Sequence, residues 1–136
     1  MKPKLKETRW SHELEKGIWK LWGKVYDFNV NSKKKIFVID TPPPYPSGRP
    51  WHIGAAVHYS QIDMIARTAR ALGFEVYFPI GMDRNGLPVE LHTEKKFNIK
   101  MHETPRRKFI ELCKIALDDT EAYMIDVMKS MGMSCD

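Results

Sequence analysis

Between Trp10 and Tyr26 the apolar residues Trp10, Leu14, Ile18, Leu21, Trp22 and Val25 recur every three or four positions with charges between them, predicting a helix with one apolar face. Turn formers fill Asp27–Ser32. Lys33–Lys35 then lead into Ile36-Phe37-Val38-Ile39, a β-branched and aromatic run without alternation, the pattern of a parallel-sheet strand buried on both faces. The five prolines of Asp40–Pro50 each remove a backbone donor and fix φ, so this stretch is a stiff loop. After it, Ile53, Val57, Ile62, Ile65, Ala66, Ala69 and Leu72 form a helical stripe that stops at Gly73, and Phe74–Ile80 reads as a second strand. Strand, loop, helix and strand in this order make a parallel βαβ unit, and the fold class is α/β.

Beyond it, Gly81–Pro88 is punctuated by glycine and proline, and Val89–Phe97 has room for a short helix. Phe109, Leu112, Cys113, Ala116, Tyr123, Met124, Val127, Met128 and Met131 keep helical spacing up to Gly132, with Pro105 expected in the first turn. Two parallel strands do not make a complete doubly wound domain, so the chain is expected to be part of a larger Rossmann-like nucleotide-binding fold. Its expected divisions are a helical segment over 1–34, a Rossmann-like α/β half over 35–98, and a helical segment over 99–136.

At 136 residues and 43% hydrophobic composition, the chain is the size and type of one globular domain. No apolar run reaches the ~20 residues of a membrane span, and Met1–Lys6 lacks the apolar stretch of a signal peptide, so a cytoplasmic location without membrane association is expected. Cys113 and Cys135 have no second pair with which to build a zinc cage and read as free thiols. The net charge of +5 sits at one end: residues 1–35 hold ten Lys or Arg against four acids, the rest twelve against thirteen. That basic segment suits either nucleic-acid phosphates or plain solvation.

In open α/β sheets, ligands bind beyond the carboxyl ends of the strands, here the loops Thr41–Gly54 and Gly81–Glu90. The first opens a helix whose amide end would face an anion such as phosphate. Neither GxxxxGK[ST] nor GxGxxG is present, which disfavours a P-loop or an ordinary dinucleotide site. Instead Trp51-His52-Ile53-Gly54 stands at the helix start. His52 is suited to donate to a phosphate oxygen, with a capping or surface histidine as the plainer reading. Gly54 leaves room for a flat base, or alternatively for close helix–strand packing. In the second loop Asp83 is placed either to accept from a ligand ammonium group or to hold a turn.

Taken together, Asp40-Thr41-Pro42-Pro43-Pro44-Tyr45-Pro46-Ser47-Gly48, His52-Ile53-Gly54 and Gly81-Met82-Asp83-Arg84-Asn85-Gly86-Leu87-Pro88-Val89-Glu90 resemble the start of the catalytic domain of class I aminoacyl-tRNA synthetases, nearest to the archaeal-type valyl branch. Pro44–Gly48 also looks like leucyl enzymes, and Gly86-Leu87-Pro88 is shared with isoleucyl and leucyl relatives. The resemblance implies ATP with its Mg²⁺, valine or another branched-chain amino acid, and tRNA as partners, with no resident protein-bound metal. It makes His52 the first histidine of the HIGH signature and the catalytic residue. It assigns nucleotide binding to Gly48, His52, Gly54, Ala55 and His58, and amino acid binding to Pro43, through its carbonyl, Tyr45 and Asp83. Ala55 stands where HIGH has its second histidine, and His58 or Arg49 is expected to substitute in part. The KMSKS loop, editing domain and anticodon-binding part that such enzymes carry are not in this sequence, so the isolated chain is expected to charge tRNA negligibly.

Other readings remain open. An adenylyltransferase outside tRNA charging could use the same helix start, and a noncatalytic synthetase-like paralogue could keep only nucleotide or amino acid binding. Pro42-Pro43-Pro44-Tyr45 also fits a PPxY ligand for adaptor domains, which requires an exposed, isolated segment. The five histidines form no HExxH, so metal catalysis has little support.

Overall fold

A computed structural model of the chain describes residues 7–22, 25–46 and 51–136. Its elements are α1 (His12–Trp22), β1 (Ile36–Val38), α2 (Ile53–Ala71), β2 (Glu75–Tyr77), α3 (Leu87–Phe97), a short 3₁₀ turn at Met101–Glu103 and α4 (Arg106–Ser130). The two strands pair in parallel, Ile36 opposite Glu75, Phe37 opposite Val76 and Val38 opposite Tyr77, as the predicted βαβ unit requires.

Local chemistry accounts for the ends of the elements. Ser11 Oγ accepts from the Leu14 amide at 3.2 Å and so caps α1, and Glu13 and Glu15 in the first turn complement its dipole. Past α2, Gly73 takes φ +91°, a left-handed conformation that disfavours any side chain. Pro105 lies just before α4 in extended conformation, φ −52° and ψ 129°, rather than in its first turn.

Packing departs from the sequence pattern in two places. Val76 and Phe78 are buried, together with Ile39 and with Tyr59, Ala66 and Ala69 of α2. Ile53, Val57, Ile65 and Leu72, expected on the buried stripe, are exposed; the buried face of α2 is Tyr59, Asp63, Ala66 and Ala69. The alanines let the helix lie close to the sheet, and burial of Asp63 is explained by the bonds it makes. Likewise β1 is covered on one side only. Phe37 and Ile39 face α2, whereas Ile36 is 53% and Val38 60% exposed, because the single crossover helix shields one face of the sheet.

The chain after α4 folds back into this core, a feature the spacing did not predict. Asp63 Oδ1 accepts from the Ser134 amide at 2.7 Å and the Ser134 hydroxyl at 2.5 Å, while its Oδ2 accepts from Arg67 Nε at 2.7 Å. Arg67 also donates to the Gly132 carbonyl and to the Tyr26 hydroxyl, and its guanidinium lies over the Trp22 and Tyr26 rings. Arg70 donates to the Ser134 hydroxyl and carbonyl. Gly132 has φ +74°, and a methyl group there would meet Trp22 at 3.3 Å. Finally, the Asp136 amide donates to the Phe78 carbonyl at 2.9 Å while its carboxylate accepts from the amides of Phe78 and Phe28.

Candidate nucleotide and amino acid site

The candidate residues sit where the ends of two parallel strands open into loops. Beyond β1 the chain runs through Pro42–Pro46; a residue preceding proline is driven toward extended conformations, so this stretch is a semi-rigid polyproline-like strip. Pro44 and Pro46 are buried, Pro42, Pro43 and Tyr45 exposed. Although the two prolines and the tyrosine of the PPxY pattern are exposed, the strip is bonded to the fold at Pro42 and Pro44 and is not the isolated segment such a ligand requires.

Two hydrogen bonds fasten it. The hydroxyl of Tyr59, on α2, donates to the Pro42 carbonyl. The amide of Asp83, in the loop after β2, donates to the Pro44 carbonyl at 2.9 Å. The proline strip thus bridges the helix and the second loop. Trp51 stacks on Tyr59 with ring centroids 5.6 Å apart and 27° between planes, and the His58 ring meets Tyr59 edge-on at 5.2 Å. Burial raises the pKa of the Tyr59 hydroxyl, which keeps it a donor.

His52 is the N-cap of α2: its Nδ1 accepts from the Gly54 amide at 3.0 Å. The cap uses one ring nitrogen and leaves the other, Nε2, to face outward. With Nδ1 accepting, the neutral ring carries its proton on Nε2, and the exposed ring can donate it outward. Gly54 serves this arrangement directly. A Cβ on it would lie 2.9 Å from His52 Nδ1 and 3.0 Å from Cε1, so the glycine makes room for the capping ring, not for helix–strand packing. The helix-end amides expected to face an anion are partly engaged, since Ala55 and Ala56 donate back to the His52 carbonyl at 2.9 and 3.1 Å.

Ala55 is half-buried and packs on the hydrophobic core, whereas His58, one turn on, is exposed. Gly48 and Arg49 lie outside the described residues. Asp83 is half-buried and one carboxylate oxygen, Oδ1, accepts from the Asn85 amide at 3.0 Å, which shapes the second loop as an Asx turn. Among the described residues no hydrogen bond joins His52 to Asp83; the proline strip connects their loops.

Sequence spacing missed Tyr59 and Arg84. Arg84 pairs with Asp118 and, at 3.3 Å, with Glu121 of α4, tethering the second loop from the far side. A tyrosine in a mixed apolar stripe gives no sign of a backbone partner 17 positions earlier. Two cavities flank this loop, one of about 510 Å³ lined by Arg84, Val89, Phe109 and Leu117, the other of about 320 Å³ beside Ile80, Met82, Met128 and Met133. Both cysteines are free thiols. No group of metal-ligating side chains and no helix apolar enough to cross a membrane occurs among the described residues.

The family model for tRNA synthetases class I (I, L, M and V) matches residues 17–136. The chain belongs to the class I tRNA synthetases. Among its class I relatives, the valine–tRNA ligase of Pyrobaculum aerophilum is 44% identical over 131 residues, 95% of this chain and 16% of the relative. That of Methanocaldococcus jannaschii is 43% identical over 126 residues, 91% of this chain and 14% of the relative. The chain therefore spans only a small part of the length of the synthetases it matches. A solved class I structure, the ternary complex of Agrobacterium radiobacter K84 agnB2 LeuRS with tRNA and LeuAMS, superposes with a TM-score of 0.69 at 27% identity, covering 93% of this chain and 15% of that one. The α/β architecture with its parallel strand pair is that of a Rossmann-like half-domain of this family.

Proposed function

We propose that this chain is the part of a valine–tRNA ligase catalytic domain that holds the ATP α-phosphate and the amino acid ammonium group. The single observation carrying this reading is the His52–Gly54 cap beside a proline strip tied to Asp83. In the proposed reaction the valine carboxylate attacks the α-phosphorus of ATP, the bond to the bridging oxygen breaks and pyrophosphate leaves. The aminoacyl adenylate formed then acylates the 3′ adenosine of tRNA. His52 Nε2–H donates to an α-phosphate oxygen as its charge grows, and Nδ1 keeps the ring oriented. Gly54 leaves the helix start open to the nucleotide. The Pro43 carbonyl and the remaining Asp83 oxygen accept from the ammonium group, and Tyr45 flanks it. Mg²⁺ would accompany ATP and supply charge neutralisation at the phosphates. Positioning and electrostatics supply most of the rate.

Part of the nucleotide site, Gly48 and Arg49, lies outside the described residues, and exposed His58 is the candidate to supplement the position occupied by Ala55. The division of roles at 1–34, 35–98 and 99–136 and a cytoplasmic location belong to the same proposal. Valine over leucine is supported by relatives that are valine–tRNA ligases at 44% and 43% identity.

The test is amino-acid-dependent ATP–pyrophosphate exchange by the complete synthetase carrying this segment. Valine is expected to drive exchange at a kcat/KM at least 100-fold above leucine, and His52→Ala to lower it by ~10²–10³. Preference for leucine or isoleucine, or exchange indifferent to His52, overturns the reading. The 136-residue chain alone is expected to form no measurable valyl-tRNA; robust charging by it contradicts the assignment of roles.

A further inference from the structure

Tyr59 sits seven residues beyond His52, buried at 5% exposure, and is not among the residues to which the HIGH-like signature draws attention. Its hydroxyl donates to Pro42, while on the other side the Asp83 amide donates to Pro44. Pro42, Pro43 and Pro44 contribute no N–H, so these three residues offer backbone acceptors only. In a polyproline-like strand successive carbonyls rotate by about 120° around the axis. Bonds to the first and third carbonyls from two different walls therefore hold the orientation of the middle one.

From this geometry we infer that Tyr59 is a positioning residue: by holding the Pro42 carbonyl against α2 it aims the Pro43 carbonyl at the substrate ammonium group. The inference rests on the proposed amino acid site and deepens it. It bears on recognition of an amine over an isosteric hydroxyl, because an ammonium group is charged and can donate to the Pro43 carbonyl and to Asp83 at once, whereas a hydroxyl has one proton to give. Burial within the core holds the phenol ring, leaving the hydroxyl as the element that acts on the strip.

The test compares adenylate formation from valine with that from 2-hydroxy-3-methylbutyrate, which replaces the ammonium group by a hydroxyl, in the complete synthetase. The quantity read is the ratio of the two kcat/KM values, which does not depend on the fraction of enzyme that is folded. Tyr59→Phe removes only the hydroxyl. It is expected to raise the KM for valine about 5- to 10-fold, the effect of losing one neutral hydrogen bond, with the KM for ATP within 2-fold, and to lower the ratio correspondingly. Trp51→Leu, which removes the stacked ring but leaves the hydroxyl, is expected to lower the melting temperature without moving the ratio. An unchanged ratio in Tyr59→Phe, or an equal fall of both substrates, overturns the positioning role; so does a Trp51→Leu effect on the ratio as large as that of Tyr59→Phe. Failure of the wild-type enzyme to prefer valine over the hydroxy acid overturns instead the amino acid site on which the inference rests.

Discussion

Replacing Gly54 by alanine separates what His52 does for the helix from what it does for a ligand. The added methyl would lie 2.9 Å from Nδ1 and 3.0 Å from Cε1, too close for the ring to stay, so the ring rotates away and its bond to the Gly54 amide is lost. Losing an N-cap costs about 1 kcal/mol, with a range of ~0.5–2. Alanine in place of glycine within a helix returns up to about 1 kcal/mol. The two nearly cancel, so the melting temperature is expected to move by no more than about 4 °C in either direction. Activity has no such compensation. A ring released from Nδ1 no longer presents Nε2–H, and loss of one preorganised donor lowers kcat by ~10²–10³. His52→Asn is the complementary change: asparagine is a good N-cap, so stability is kept, but it cannot place a donor where Nε2 stands. The assay pairs thermal unfolding with ATP–pyrophosphate exchange in the complete synthetase. Exchange within about 3-fold of wild type for Gly54→Ala, with its melting temperature unchanged, would refute the coupling of cap and donor.

Asp63→Ala leaves the Ser134 amide and hydroxyl without their acceptor and Arg67 without its carboxylate, so unfolding in urea is expected to show a loss of about 3–5 kcal/mol, the range for breaking a buried charged network; a loss under 1 kcal/mol would contradict the clamp. Burial, and then Lys96, lowers the pKa of His92 at the interface of α3 and α4. The unfolded chain then binds more protons than the folded one, so His92's contribution is complete above the ordinary value of about 6.5 and falls away as pH drops below it toward the lowered folded value. His92→Gln is expected to flatten this part of the stability profile between about pH 7 and 5, and an unchanged profile would count against it. Cys135, whose thiol burial pushes its pKa up, should react with iodoacetamide at pH 8 more slowly in the folded chain than after denaturation in urea; equal rates would show it accessible.

The elements and their parallel pairing were legible because each depends on local rules. Proline and glycine bound the loops, and the apolar run at Ile36–Ile39 is too short for a helix. What could not be read was which side of α2 faces inward. Ala66 and Ala69 of the expected stripe are buried and Ile62 packs on the core, but Ile53, Val57, Ile65 and Leu72 of the same stripe are exposed and the buried face contains a carboxylate, so hydrophobicity alone chooses only in part. Asp63 is tolerated inside because Ser134 and Arg67 satisfy it, and Ser134 lies 71 positions away. The candidate site divides in the same manner. His52, Gly54 and Asp83 were visible as residue types at strand ends, and the adjacency of their loops follows from parallel pairing. The bonds of Tyr59 to Pro42 and of Asp83 to Pro44 depend on side-chain direction and loop path, which no spacing encodes.

The carboxylate of Asp136 receives the amide of Phe28 across 108 positions of sequence. On the ribosome, where chains grow at roughly 5–20 residues per second, the segment after α1 would wait on the order of 5–20 s before its partner is even made. One side chain thus holds together two backbone segments distant in sequence, and Asp136→Ala would leave the amides of Phe28 and Phe78 without their shared acceptor.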